Sequence, residues 1–112
     1  MDLVAQFRAQ AAEAVNLLKA LANEPRLLVL CHLAEGQELA VGDLAQKVGL
    51  SQSALSQHLA KLREQGLVTT RKEAQTVFYS VSDPKALQVL SLLHDLFCPD
   101  LGRTGTTERN RS

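Results

Sequence analysis

The chain is 112 residues long, the size of one domain, with 46% hydrophobic and 21% charged residues, enough for one modest core. Twelve Lys and Arg cancel twelve Asp and Glu, which excludes a histone-like or polybasic protein. The four aromatics (Phe7, Phe78, Tyr79, Phe97) are too few for the stacking platforms of single-strand binders, and no apolar run approaches the ~20 residues of a membrane span.

Phe7, Ala11, Ala14, Leu18 and Leu21 recur at helical spacing and predict an amphipathic helix over residues 3–21. Asn23 can cap a second helix with Glu24 and Pro25 in its first turn. The apolar stripe of that helix reads Leu27, Leu30, Cys31 and Ala34, and Gly36 ends it. A short third helix fits Val41 to Val48, with Leu44, Ala45 and Val48 inward and Gly49 as its stop. Ser51 caps a fourth, running to about Gln65 before Gly66. Two strand-like runs follow, Leu67–Arg71 and Thr76–Val81, joined by a tip of Lys72, Glu73, Ala74 and Gln75. Asp83-Pro84 opens a last helix through about Phe97, stopped by Pro99. Leu87, Val89, Leu90, Leu92, Leu93, Leu96 and Phe97 surround that helix on more than one side, more than so small a domain can bury, which predicts a homodimer interface. The Thr/Arg/Gly-rich tail from Pro99 is expected to be disordered.

The third helix, its glycine turn and the fourth helix make a helix-turn-helix unit. On the fourth helix Leu55, Leu59 and Leu62 form the inward stripe, and Ser53, Ser56, Gln57 and Ala60 lie opposite at i, i+3, i+4 and i+7. That outer face is polar but uncharged, whereas an ordinary solvated face carries Lys and Glu. Amides, hydroxyls and a methyl are what base edges in a major groove are matched to. Charge is also unevenly spread. Residues 51–80 hold Lys61, Arg63, Arg71 and Lys72 against only Glu64 and Glu73, so the basic segment coincides with the hairpin. There Arg71, Lys72 and Gln75 could reach a phosphate or a minor groove. A surface helix that merely happens to be rich in Ser and Gln would explain the face alone, but not the basic hairpin beside it. With the flanking Gln52, His58 and Lys61, the candidate DNA contacts are Gln52, Ser53, Ser56, Gln57, His58, Lys61, Arg71, Lys72 and Gln75.

The stretch Leu50-Ser51-Gln52-Ser53-Ala54-Leu55-Ser56-Gln57-His58-Leu59, continuing through Gly66-Leu67-Val68 to Arg71-Lys72-Glu73 and Val77-Phe78-Tyr79-Ser80-Val81, closely resembles the ArsR/SmtB family of winged-helix repressors. So does Leu17 to Leu27, upstream. The resemblance covers roughly residues 10–98 and implies a mainly α winged helix-turn-helix in the order α-α-α-α-β-β-α. It also implies a homodimer joined through its first and last helices, sitting on a palindromic operator of double-stranded DNA until an inducer is sensed. DNA binding and dimerisation are thus assigned to residues 1–98 and the tail to 99–112.

Many members of that family sense metals. In the thiolate frame Glu-Leu-Cys-Val-Cys-Asp-Leu this chain has Glu38-Leu39-Ala40-Val41-Gly42-Asp43-Leu44, with both cysteines gone. The zinc-type pattern on the last helix would need His where Lys85 and Leu96 stand, so neither a metal nor any cofactor is expected. Cys31 and Cys98 remain. Their contexts, Leu30-Cys31-His32-Leu33 and Phe97-Cys98, resemble the persulfide- and redox-responsive subgroup of the BigR/SqrR/HlyU kind, and the implied inducer is a reactive sulfur species or oxidant. Against this stands the ordinary packing role of a buried cysteine. Asp95, Asp100 and the helix C-terminus also disfavour a thiolate at Cys98.

Charges at Asp2, Arg8, Glu13 and Lys19 interrupt any signal core, so the expected compartment is a reducing cytoplasm, where paired cysteines tend to be reactive rather than structural. No Gly-rich phosphate loop, nucleophile elbow or paired-carboxylate spacing supports an enzyme. The remaining alternatives are a protein-docking winged helix, which would not need a basic hairpin, and a family member without thiol sensing. The latter would act as a constitutive binder or anti-repressor, or would answer to a metal or another ligand.

Overall fold

The computed structural model describes residues 3–97. Five helices and three short strands follow in order: α1 (Leu3–Leu21), α2 (Glu24–Gly36), β1 (Leu39–Ala40), α3 (Val41–Val48), α4 (Gln52–Glu64), β2 (Val68–Glu73), β3 (Thr76–Val81) and α5 (Pro84–Phe97). Local chemistry starts three of the helices where the sequence indicates. Asn23 Oδ1 accepts the Arg26 amide at 3.1 Å, Ser51 Oγ accepts that of Ala54 at 3.1 Å, and Asp83 Oδ1 accepts that of Lys85 at 2.9 Å. Each satisfies a donor that the first helical turn leaves without a partner.

The core gathers Leu21 of α1, Val29, Leu30 and Leu33 of α2, Leu44 and Ala45 of α3, the α4 leucines and Ala86 and Leu90 of α5. Leu55, Leu59 and Leu62 are buried as the α4 pattern predicts. On α2 the stripe is different. Val29, Leu30 and Leu33 are buried, while Leu27, Cys31 and Ala34 are only half-buried. α2 packs against α1, α3, α5 and the sheet, so it is apolar on several sides, and periodicity alone does not select its innermost face.

Gly36 also differs from its expected role. It is the last helical residue, and the positive φ that usually calls for glycine falls on Gln37 (φ 71°). A Cβ at position 36 would stand 3.2 Å from Leu39 Cγ, so the glycine makes room for the strand that follows.

That strand, β1, is absent from the sequence reading, since two residues cannot display an alternation. It pairs antiparallel with β3 (Leu39 with Tyr79, Ala40 with Phe78), giving a sheet of order β1-β3-β2 rather than a bare hairpin. β2 runs further than expected, to Glu73, and β3 pairs with it from Val68–Val81 to Glu73–Thr76. The tip is therefore Ala74-Gln75, with Ala74 in the left-handed region at φ 56°. Leu39, Tyr79 and Val81 pack on the core, while Arg71, Phe78 and Ala40, aligned across the three strands, lie on the other face.

α1 and α5 leave much apolar surface uncovered: Phe7 is 62% exposed and Phe97 76%, with Leu3, Val4, Leu18, Leu92 and Leu96 exposed beside them. An exposed ion pair, Lys85 Nζ to Glu13 Oε1 at 3.7 Å, links the two helices. No described helix is long and apolar enough to cross a membrane. Cys98 and the tail that the sequence reading calls disordered lie outside the described residues.

Candidate nucleic-acid interface

Gly49 makes the turn between α3 and α4. Its φ of 74° is left-handed, and its N–H returns to the Ala45 carbonyl at 2.9 Å. Nothing would touch a Cβ there, so the requirement is conformational rather than spatial.

Beyond the turn, α4 turns Ser53, Ser56, Gln57 and Ala60 to solvent, all exposed and within an arc of about 100° at 3.6 residues per turn. Lys61 is exposed on one flank of this face. On the other, Gln52 rests near the start of α3, its Nε2 3.7 Å from where a Gly42 Cβ would stand. His58 sits apart from the rest. It is half-buried, ~100° around the helix from Gln57 on the Leu62 side. The structure thus brings Ser53, Ser56 and Gln57 together as a surface and places His58 beside the buried stripe.

The wing is organised differently. Lys72 and Gln75 are exposed near its tip. Arg71 is turned back onto the protein. Its Nε donates to Glu38 Oε2 at 2.9 Å, its Nη2 to Glu38 Oε1 at 2.9 Å and its Nη1 to Glu73 Oε1 at 3.1 Å. The guanidinium carbon stands 4.8 Å from the Phe78 ring centroid, in reach of a cation–π contact. The hydrogen bonds from Arg71 hold the Glu38 carboxyl below its ordinary value, against a smaller desolvation effect. Those to Glu38 and then Glu73 push the guanidinium further up. One cation thus faces two carboxylates, and the basic character counted in the sequence is locally cancelled. Glu38 is the residue that sequence reasoning missed. In the sequence it stands only within a metal-ligand frame, and the signal that finds it, an acid just before a strand paired to the wing, requires β1.

Away from the wing, Cys31 opens into a cleft of about 330 Å³ between α2 and α5, lined also by Ala34, Glu35, Leu87, Leu90, Ser91 and His94. Among the described residues no group of three or more His, Cys, Asp or Glu could hold a metal ion.

A helix-turn-helix whose second helix shows an uncharged polar face, followed by a β-wing, defines a winged-helix DNA-binding regulator. Residues 23–70 match the family described as bacterial regulatory protein, arsR family. The transcriptional activator HlyU of Vibrio cholerae serotype O1 is 56% identical over 93 residues, covering 83% of this chain and 85% of its own. The chain belongs to the ArsR family of DNA-binding transcriptional regulators. Solved structures agree. HlyU from Vibrio cholerae N16961 matches with a TM-score of 0.76 at 58% identity, over 80% of this chain and 96% of that one. The transcriptional repressor BigR from Xylella fastidiosa matches with a TM-score of 0.79 at 41% identity, over 88% and 98%.

Proposed function

We propose that this chain is a cytoplasmic repressor. It acts as a homodimer on a palindromic operator and is switched off when a persulfide or another oxidant takes two electrons from the thiols of Cys31 and Cys98, which lose their protons and become linked through sulfur. The observation that carries the DNA reading is the exposed Ser53–Ser56–Gln57–Ala60 face directly opposite three buried leucines. Ser53, Ser56 and Gln57 would read base edges, with Lys61, Lys72 and Gln75 on the backbone. Dimerisation has support in the apolar surface of α1 and α5, and a two-fold axis would set two copies of α4 ~34 Å apart along the duplex.

The switch has support in the cleft that Cys31 shares with α5, since Cys98 directly follows the last residue of that helix. A direct disulfide needs Cα atoms within ~7 Å, and a chain of additional sulfur atoms would bridge a longer gap. Either link would draw the end of a dimer-forming helix toward α2 and change the spacing of the two reading helices. A hundredfold loss of operator affinity corresponds to ~2.7 kcal/mol of coupling, within the usual allosteric range.

The test is a mobility shift on the DNA upstream of the protein's own gene, with and without a persulfide donor. Wild type should release the duplex, and Cys31→Ser and Cys98→Ser should hold it. Release by both variants as readily as by wild type would reduce the cysteines to packing residues. The second reading, a regulator that answers to no thiol chemistry, would then stand.

A further inference from the structure

Glu38 immediately precedes β1, and β1 leads without a break into α3, the first helix of the helix-turn-helix. Arg71 lies on β2, at the far side of the sheet. In register, Arg71 stands opposite Phe78 and Phe78 opposite Ala40, and Glu38 lies on the same side as Ala40 because they are two positions apart. The guanidinium therefore crosses the central strand above the Phe78 ring and meets Glu38 edge to edge, both carboxylate oxygens engaged at 2.9 Å. Its remaining terminal nitrogen is held by Glu73 of its own strand. A planar fork bound on two sides and stacked on a ring has its orientation determined even though about half of the side chain stays exposed, at 50%.

We propose that Arg71 is a positioning residue: with Glu38 it forms a strut that fixes the wing relative to the segment carrying the helix-turn-helix, and it does not contact phosphate. Lys72, one residue on and alternating to the opposite strand face, and Gln75 at the tip are the groups left to meet the duplex. The inference rests on the DNA-binding reading of the wing and adds a division of labour within it. Three of the five guanidinium N–H donors are engaged, so a phosphate would be left only the remaining two, on a cation that already faces two carboxylates. The two roles predict opposite signs for one substitution. If Glu38 competed with DNA for Arg71, removing the carboxylate would tighten binding. If Glu38 is half of a strut, removing it weakens binding even though the protein becomes more positive.

The experiment compares wild type, Glu38→Ala, Arg71→Ala and the double variant by operator affinity and hydroxyl-radical footprinting, using the duplex upstream of the protein's own gene. Thermal melting checks that each is folded. The strut predicts that both single variants bind several-fold more weakly, that the double variant is no weaker than either, and that protection is lost only where the wing lies. Protection by α4 should persist, whereas general loosening of the fold would fade the footprint throughout. Tighter binding by Glu38→Ala, or additive losses in the double variant, overturns the proposal. Should Arg71→Ala prove unstable, Arg71→Lys, which retains the charge but loses the fork, must show the same wing-limited loss. A wild-type protein that protects no DNA would instead remove the reading on which the strut depends.

Discussion

α4 and the wing bring opposite chemistry to the DNA contact proposed for them. α4 exposes hydroxyls and an amide on a face without charge, held out by leucines beneath it, whereas Arg71 of the wing bonds three carboxylate oxygens of its own chain. A count of charges in the sequence cannot make this distinction, because it registers how many cations a segment holds and not whether they are already engaged. Availability is a property of the fold. On the DNA contact proposed for α4, it ranks an uncharged face above a charged one.

The sharpest way to break the comparison is from below. Leu59→Ala removes a buried side chain from beneath α4 and should cost about 2–5 kcal/mol in stability, seen as a lowered thermal midpoint. Ser56→Ala, on the opposite side of the same helix, should change it by no more than about 0.5 kcal/mol. Equal effects would mean that α4 does not have the inner and outer faces described. Next in size, Gln57→Ala should relax discrimination at one operator position by about 1–3 kcal/mol, measured by competition between point-substituted duplexes. Uniform weakening across all duplexes would make Gln57 a backbone contact instead. Lys72→Ala should act the other way, lowering affinity for every sequence and reducing the log–log salt slope by about 0.9. An unchanged slope would place the wing off the DNA.

The smallest effect concerns pH. Glu38 has its carboxyl pKa lowered in the folded protein, so the pair is fully formed above the ordinary glutamate value of about 4.3 and is lost as pH falls through the lowered one. The Arg71 Nε proton, followed by NMR, should stay in its bonded position at neutral pH and move only once the pH falls below the ordinary glutamate range. Movement near neutrality would mean that Glu38 is not its partner.

Much of this architecture was legible before any coordinates. Asn23 and Ser51 announce their helices because capping is local chemistry, and the α4 leucines announce a core face because that helix is buried on one side only. α2 is packed on several sides, so its innermost residues depend on neighbours that the sequence does not order. β1 is too short to show a period and exists through its pairing with β3. With β1 unseen, Arg71 had no visible partner across the sheet and read as an open cation. Within the candidate site, Ser53, Ser56 and Gln57 share the surface that helical spacing indicates, but His58 does not, because 3.6 residues per turn carries it toward Leu62.

The sheet's order has one more consequence. β3 is central, so β1 and β2 are its two rims, and an open rim of backbone donors and acceptors invites another chain to add itself as a strand. On one side the rim is only two residues long. On the other it carries Arg71, Lys72 and Glu73 in succession. Both are known ways of blunting strand addition, so regulators crowded at high local concentration on neighbouring sites would remain separate molecules rather than seeding a shared sheet.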